Sequence, residues 1–441
     1  MVTKSFRKQL LLSAAVALFT TGAAQAASLQ DELSYLLTAH PRVKAAGNSV
    51  SGAQEQIRQA FAAYLPRVDT QLQAGYDKID SPGFRASRNG KGAGEWGDTL
   101  SLTVTQTLFD GLRREANYDE AKVNKVVQDL ALDTTRQTLT YDGARAYIDV
   151  LRFARLVELA RTNEATVQRQ LNLEDERVQR GAGIAIDVLF AKSRLQLAKE
   201  RRVQFEGQLQ EASARYQQLF NKAPQAGSMA DPSLPANLLP ATLDDARQAA
   251  INDNPQVQSS NRQIDMATSR KQAAGADYYP RVDLELRGEY ADNYEAVKGY
   301  RTEMTALVRA RWNIFNGFAT QAAVAEASYR LAGARDQFDS ARRQVTEEVD
   351  IAWNELQTAN QRVALLENAV SIAAEVFEAR RRLRDAGRET AINVLDAENE
   401  LYSARINLLQ ATFDSRKASY RVLMATGRLT PAMLGVQLAA N

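Results

Sequence analysis

Two segments of the chain carry apolar residues at alternating spacings of three and four, the period of helices that pack as coiled coils. The repeat is most regular at Val349, Ala352, Leu356, Ala359, Val363, Leu366, Val370, Ala373 and Phe377. The positions 206 residues earlier, from Gly143 to Leu171, are also mostly apolar. We therefore predict two long helices, over residues 112–180 and 318–385, each with an apolar seam that packs against other helices.

Four shorter segments alternate apolar and polar residues with a period of two, which predicts β-strands. They form two hairpins, at about residues 67–108 and 281–314. One such hairpin fits the half-buried surface of a soluble protein, whereas two matching hairpins favour membrane strands with one face toward lipid. Apolar positions include Val68, Leu72, Tyr76, Leu100, Leu102 and Val104 in the first hairpin, and Leu284, Leu286, Tyr290, Met304, Val308, Trp312 and Ile314 in the second.

The chain is internally duplicated. Tyr-Leu-Pro-Arg-Val-Asp at 64–69 recurs as Tyr-Tyr-Pro-Arg-Val-Asp at 278–283, an offset of 214 residues. Leu-Phe-Asp-Gly at 108–111 recurs as Ile-Phe-Asn-Gly at 314–317, an offset of 206. The extra residues of the first copy fall within segment 80–97, whose Gly, Ser and Asn content predicts a flexible loop.

The duplication predicts the same order of elements in each half. One helix of about 36 residues, at 29–64 or 243–278, precedes each hairpin, and a helix at 186–220 or 390–426 follows each long helix. At 1.5 Å per residue the long helices extend ~100 Å, which the two shorter helices of each half match when placed end to end. The predicted divisions are a first repeat over 27–221, a proline-rich linker over 222–242, a second repeat over 243–427 and a tail over 428–441.

The N-terminus predicts export from the cytoplasm. Lys4, Arg7 and Lys8 precede an apolar stretch that ends in the small-residue site Ala24-Gln25-Ala26. This order is typical of a secretory signal peptide, here over residues 1–26. No run of 18 apolar residues occurs later in the sequence, so no transmembrane helix is predicted.

The composition excludes several kinds of chemistry. The chain has no cysteine and a single histidine, His40, which beside Pro41 is predicted to start a helix. A disulfide framework, a thiolate metal site or a Ser-His-Asp triad therefore lacks its residues, and we expect no cofactor and no enzyme activity. The near-neutral formal net charge of +2 gives no electrostatic basis for binding nucleic acid.

The number of strands bears on the oligomeric state. Four membrane strands cannot close a barrel, because the smallest bacterial barrels have about eight. Three copies would supply twelve strands and leave no open edge in lipid. The predicted fold class is therefore mainly α with a small β part, in which long coiled-coil helices form a barrel and four strands per chain contribute to a trimeric twelve-stranded β-barrel.

These features together resemble the TolC family of outer-membrane factors. The resemblance rests on the duplicated plan, on the Pro-Arg-Val-Asp starts and Phe-Asp/Asn-Gly ends of the hairpins, and on a Gly break followed by Asp187-Val188 or Asn393-Val394. It covers nearly the whole chain after the signal peptide. It implies a homotrimer in the outer-membrane lipid of a Gram-negative-type cell, with a helical tunnel in the periplasm. It also implies a periplasmic adaptor protein and an inner-membrane pump of the ABC or RND type as partners.

The resemblance places a gate at the two glycine breaks. The family's acidic constriction positions correspond to Asp187, Asn393 and Asp396, and Asn393 in place of an acid lowers the charge per subunit. The position of the family's gate-locking arginine holds Glu389, with Arg388 adjacent. The adaptor would dock at the tips, which are predicted at Gly181, Val188, Gly387 and Val394.

Two alternatives stay open at this point. Asp187 and Asn393 follow a glycine break, where Asp and Asn commonly cap a new helix, so capping competes with a gate role. The chain as a whole is predicted to be an export duct for type I protein secretion or drug efflux. The alternative is a periplasmic adaptor or coiled-coil scaffold without a channel, which would need an inner-membrane anchor and compact β-domains that the sequence does not display.

Overall fold

The structure is a computed structural model. It describes residues 28–87, 89–181, 183–232 and 238–435. The predicted signal peptide, part of the predicted linker and the end of the predicted tail lie outside these residues. The helices and strands in chain order are α1 (Leu29–Ala39), α2 (Pro41–Ala62), β1 (Arg67–Ile79), α3 (Pro82–Ser87), β2 (Ala93–Phe109), α4 (Arg113–Gln179), α5 (Ala185–Phe220), α6 (Leu243–Asp253), α7 (Pro255–Gly275), β3 (Arg281–Asp292), β4 (Tyr300–Arg311), α8 (Ala319–Asp385) and α9 (Ala391–Ala425).

The two long helices confirm the prediction from the three-and-four spacing. α4 and α8 have 67 residues each, which corresponds to a length of ~100 Å. On α8 the seam is buried at Val349, Ala352, Leu356, Ala359 and Ala373 and half-buried at its other positions. The period of the apolar residues therefore identified the packed face of each helix.

The helix that precedes each hairpin is divided in two, which corrects the prediction of one continuous helix. His40 and Asn254 separate the pieces, and each has the extended backbone that a following proline favours. His40 Nδ1 accepts a hydrogen bond of 3.1 Å from the Arg42 N–H, and Asn254 Oδ1 accepts one of 2.8 Å from the Gln256 N–H. Each residue therefore caps the second helix, and the helix-start prediction for His40 is confirmed.

The shorter helices pack along the long ones. α2 and α5 contact α4, while α7 and α9 contact α8, as the matched lengths predicted. The two halves are joined because α4 also contacts α7 and α9. Where α1 packs against α4, a Cβ on Gly143 would lie 2.7 Å from Leu36 Cδ2, so a larger residue would force the Leu36 side chain to move. None of the helices in the described residues combines the length and the apolar character needed to cross a bilayer.

The four strands form one antiparallel sheet in the order β1-β2-β3-β4. The middle pair joins the two hairpins through Leu100↔Tyr290 and Val104↔Leu286. The predicted flexible loop at 80–97 is too long, because β2 already begins at Ala93, opposite Ile79, and α3 occupies part of the remainder. β4 ends at Arg311, so Trp312 and Ile314 follow the strand rather than belong to it.

Candidate functional site

The two glycine turns lie at the end of the molecule opposite the sheet. Residues 180–184 join α4 to α5, and residues 386–390 join α8 to α9. Gly181 and Gly387 have φ values of +74° and +72°, in the left-handed region that favours glycine. No atom lies near an added Cβ at either position. The backbone conformation of these turns, rather than lack of space, therefore requires glycine.

The predicted docking residues divide into exposed glycines and buried valines. Gly181 and Gly387 are exposed, whereas Val188 and Val394 are buried within the chain. Val188 packs in a small core with Val167 and Leu171 from the seam of α4. Sequence reasoning did not single out the apolar side chains that are exposed at this end, which include Ile184, Ile186, Leu189 and Phe190. Docking at the tips stays a prediction.

Asp187 lies in the first turn of α5 and is buried, with 5% of its surface exposed. It does not cap the helix, because the N-cap residue is Ile184 and no side chain makes a capping bond there. The capping interpretation of Asp187 is therefore wrong. The cationic group nearest to its carboxylate is Arg384 on α8, with Nη2 3.9 Å from Oδ2.

Arg384 links the two repeats at this end of the molecule. Its Nη2 is 2.7 Å from Oε2 of Glu174 on α4, and both side chains are largely buried. Arg177 approaches the other oxygen of Glu174 at 3.4 Å. Arg384 Nη1 also donates to the backbone oxygen of Glu389 at 3.4 Å. Two carboxylates on α4 and α5 thus converge on one guanidinium from α8.

The sequence contains a signal for Glu174 and Arg384 in the spacing of the apolar seams. Continuing the spacings of three and four beyond Leu171 gives Glu174, and continuing them beyond Phe377 gives Arg380 and then Arg384. Charged residues at seam positions need partners, because the seam is desolvated. The structure supplies them, since Arg384 pairs with Glu174 and Arg380 donates to the Asn393 backbone oxygen at 3.1 Å.

Asp396 forms a second link between the repeats. It lies in the second turn of α9, and its Oδ1 is 2.5 Å from Nη2 of Arg194 on α5. The side chain of Asp396 is 51% exposed. The acidic position predicted to line the constriction is therefore paired with a cation in this conformation, which reduces its local charge.

The second turn is capped by a different residue from the one predicted. Thr390 is the N-cap of α9, and its Oγ1 accepts a hydrogen bond of 3.4 Å from the Asn393 N–H. The Asn393 side chain donates to Glu389, whose carboxylate also accepts from the Thr390 N–H at 3.0 Å. These bonds hold the pKa of Glu389 below its ordinary value. Asn393 is thus an internal first-turn residue, and capping by its side chain is wrong.

The remaining predicted residue, Arg388, is exposed, and its side chain has no ion pair among the described residues. The structure therefore brings Asp187, Glu389, Asn393 and Asp396 to one end of the molecule, held by Arg384, Arg380 and Arg194. Within the part of the chain that the structure describes, no group of three or more acidic or histidine side chains is placed to hold a metal ion.

Comparison with known proteins gives a consistent result. The family model described as outer membrane efflux protein matches residues 33–222 and 246–428. The chain is 25% identical to the outer membrane efflux protein BepC of Brucella suis, over 97% of this chain and 92% of that protein. It is 24% identical to the alkaline protease secretion protein AprF of Pseudomonas aeruginosa, over 94% and 87%. The fold matches that of the outer membrane protein VceC of Vibrio cholerae with a TM-score of 0.78 at 17% identity, over 90% and 96%.

Proposed function

The chain belongs to the outer membrane efflux protein family, and from that membership we propose that three copies assemble into one duct with a gate at the glycine turns. The function predicted from the sequence, an outer-membrane export duct, agrees with the family and with relatives named for efflux and for protease secretion. These are channel proteins, so the alternative of an adaptor or scaffold without a channel is not favoured.

The observation that carries the trimer is the sheet, because each outer strand has only one partner. β1 pairs with β2 alone and β4 pairs with β3 alone, so one edge of each lacks main-chain partners among the described residues. Unpaired edges are costly in lipid, where no water satisfies the backbone. Pairing β4 of one copy with β1 of the next would remove both edges, and three copies would close twelve strands.

One face of the sheet supports contact with outer-membrane lipid. The register aligns Val68 with Val104, Leu72 with Leu100 and Leu286 with Ala306, which places the apolar residues of all four strands on the same face. This face is exposed in the single chain, with Leu72 at 74% and Met304 at 88%. The opposite face carries residues such as Asp69, Ser101, Glu289 and Glu303, which suit a water-filled interior.

Aromatic residues lie at both ends of the strands. Near the hairpin loops, the rings of Tyr76 and Trp96 are 5.8 Å apart and those of Tyr290 and Tyr300 are 6.4 Å apart. At the helix end, the Trp312 Nε1–H donates to the Tyr278 backbone oxygen at 3.1 Å. Two such levels are typical of the lipid–water interfaces of a membrane strand region.

At the opposite end, the ion pairs of Arg384 and Arg194 support a gate. They join α8 and α9 to α4 and α5, so an opening in which α8 and α9 move away from α4 and α5 has to break both. The residues proposed to control passage are Asp187 and Asp396, with Glu174, Arg194 and Arg384 as the groups that hold them. The exposed Ile184, Ile186 and Leu189 offer an apolar surface for a periplasmic adaptor, which would deliver substrate from an ABC-type or RND-type pump.

Native mass spectrometry of the full-length protein in mild detergent tests the assembly. We expect one dominant species with three times the mass of one processed chain. A species of one or two chains, recovered from outer membranes under the same conditions that keep other porin-type trimers intact, would contradict the proposal.

A further inference from the structure

A small cavity lies between α4, α5 and α9, farther from the glycine turns than the Arg194–Asp396 pair. It has a volume of about 150 Å³, enough for a few water molecules. Its walls include Asn163 and Val167 from α4, Ala198 from α5, and Glu398 and Tyr402 from α9. The cavity therefore lies where helices of the two repeats meet.

Glu398 is the acidic side chain buried against this cavity, with 7% of its surface exposed. The Gln170 side chain hydrogen-bonds to its carboxyl group. Glu398 Oε2 and Gln170 Oε1 are both buried and have no partner among the described residues. Both atoms are acceptors when the carboxyl group is ionised, so each lacks a donor. A proton on Glu398 would remove the buried charge and add one donor at this place.

The charged groups around the cavity do not neutralise Glu398. On α5, Arg194 is paired with Asp396, and Arg201 lies over the ring of Tyr402 at 5.8 Å. Glu200 on α5 also lines the cavity and adds a negative charge. Arg169 on α4 donates to Thr166 Oγ1 at 3.1 Å and acts on Glu398 only through space. α8 packs against α9 but contributes no described residue to the cavity lining.

We propose that Glu398 is a proton-binding site that controls how α9 packs against α4 and α5. With the proton bound, the carboxyl group stays buried beside Gln170 and the packed arrangement holds. With the proton lost, the carboxylate requires water or a cation, and α9 separates from α4 and α5. The effect on conduction rests on the proposed duct and gate, whereas the proton site itself does not.

The direction and size of the pH effect on the packing of α9 follow from the linkage between proton binding at Glu398 and packing. Burial raises the pKa of Glu398 from 4.5 to about 7. A raised carboxyl pKa means that the packed arrangement is fully favoured below the ordinary pKa of 4.5, weakens as the pH rises above it, and has lost this contribution once the pH passes about 7. Each unit of pKa difference between the packed and separated forms changes the ratio of these forms by a factor of ten. The ratio therefore changes by at most about two to three powers of ten per subunit.

The first test is single-channel recording of the purified full-length protein between about pH 4 and about pH 8.5, which covers the range from the ordinary carboxyl pKa to the raised pKa of Glu398. We expect the open fraction of the wild type to rise with pH over this range and to level off above about pH 7. Glu398→Gln keeps the size and stays neutral, so its open fraction should remain at the low-pH value throughout. The matched control is Glu400→Gln, on the same helix but exposed, which should behave as the wild type does.

The second test does not require conduction. The chain has no cysteine, so spin labels at Ala165→Cys on α4 and Arg405→Cys on α9 report the distance between these helices. We expect this distance to increase with pH in the wild type and to stay constant in Glu398→Gln. A protein that conducts at no pH but shows this change would retain the proton site while the duct proposal fails. A distance that is independent of pH, or that changes equally in Glu398→Gln, would overturn the inference.

Discussion

The guanidinium of Arg384 on α8 lies 2.7 Å from the carboxylate of Glu174 on α4, and this buried pair joins the two repeats beside both glycine turns. Both residues occupy positions that continue an otherwise apolar seam. An ion pair in such a place is costly to desolvate and costs about 3–5 kcal/mol when one partner alone is removed. It is therefore suited to hold the turns together in one arrangement and to favour separation once it is broken.

Arg384→Ala should open the turns. The substitution leaves the Glu174 carboxylate buried without its partner and removes the cation that faces Asp187, so the closed arrangement is destabilised. We expect a several-fold rise in single-channel conductance or open fraction. Arg382→Ala is the control, because Arg382 is exposed two residues away and has no ion pair among the described residues. Equal conductance of the two variants would remove Arg384 from the gate.

Replacing both partners should restore the packing. Glu174→Leu combined with Arg384→Leu returns two apolar residues to the seam, and exchange of a buried ion pair for apolar residues is often neutral or stabilising. The double variant is expected to have a lower open fraction than Arg384→Ala, with unfolding measured by circular dichroism as a check on stability. A double variant as open as Arg384→Ala would mean that the charges, rather than the packing, keep the turns together.

The Arg194–Asp396 pair should set ion selectivity more than stability. The pair is exposed on both sides, so its loss should change the free energy of unfolding by less than about 1 kcal/mol. Asp396→Asn leaves the Arg194 charge unpaired and should shift the reversal potential in a salt gradient toward anion preference. Arg194→Gln should shift it toward cations, and the double variant should lie near the wild type. Shifts of the same sign in both single variants would contradict this assignment.

Adjacent residues of β1 test which face of the sheet meets lipid. Leu72 lies on the apolar face at mid-strand, and Gln71 lies on the polar face. An arginine on the lipid face near the bilayer centre costs about 2–4 kcal/mol. Leu72→Arg should therefore lower the amount of assembled protein in the outer-membrane fraction, whereas Gln71→Arg should assemble normally. The reverse order of the two variants would show that the faces are assigned the wrong way round.

The turn glycines should be sensitive to substitution for conformational reasons only. Gly181→Ala and Gly387→Ala force a residue with a Cβ into the left-handed region, at a cost of about 1–2 kcal/mol each. The control is Gly207→Ala within α5, where nothing obstructs a Cβ and no positive φ occurs, so the change should stabilise the helix by about 0.5–1 kcal/mol. Denaturant unfolding measures the change in the free energy of unfolding, which should fall for the turn variants and rise for the control. An unchanged free energy for Gly181→Ala would contradict the strain argument.

The extents of the long helices were predicted from the sequence better than the breaks within the shorter ones. The three-and-four spacing located α4 and α8 to within one or two residues, because a seam that is desolvated over ~100 Å restricts every turn of the helix. The break between α1 and α2 was missed although Pro41 signalled it, because a proline inside a helix removes a backbone hydrogen bond and favours an extended conformation in the residue before it.

The positions of the candidate residues near the glycine turns followed from the sequence, whereas the side chains that pair with them did not. Asp187 and Asp396 follow the glycine breaks in sequence, so their position near the turns could be inferred. Glu174, Arg194 and Arg384 approach them only after four helices have packed. The sequence separation is 210 residues for Glu174 and Arg384 and 202 residues for Arg194 and Asp396. Of these three partner residues, only Glu174 and Arg384 could be recognised in the sequence, because they are charged residues at positions of the apolar seam.

The measurement that tests the account most directly is the conductance of the purified full-length protein in planar bilayers, recorded for the wild type and Arg384→Ala side by side. A duct with a gate at the glycine turns predicts stepwise ion currents in both, with smaller steps or a lower open fraction in the wild type. Correctly assembled protein that gives no current steps in either form would contradict the duct, and identical steps in the two forms would contradict the gate.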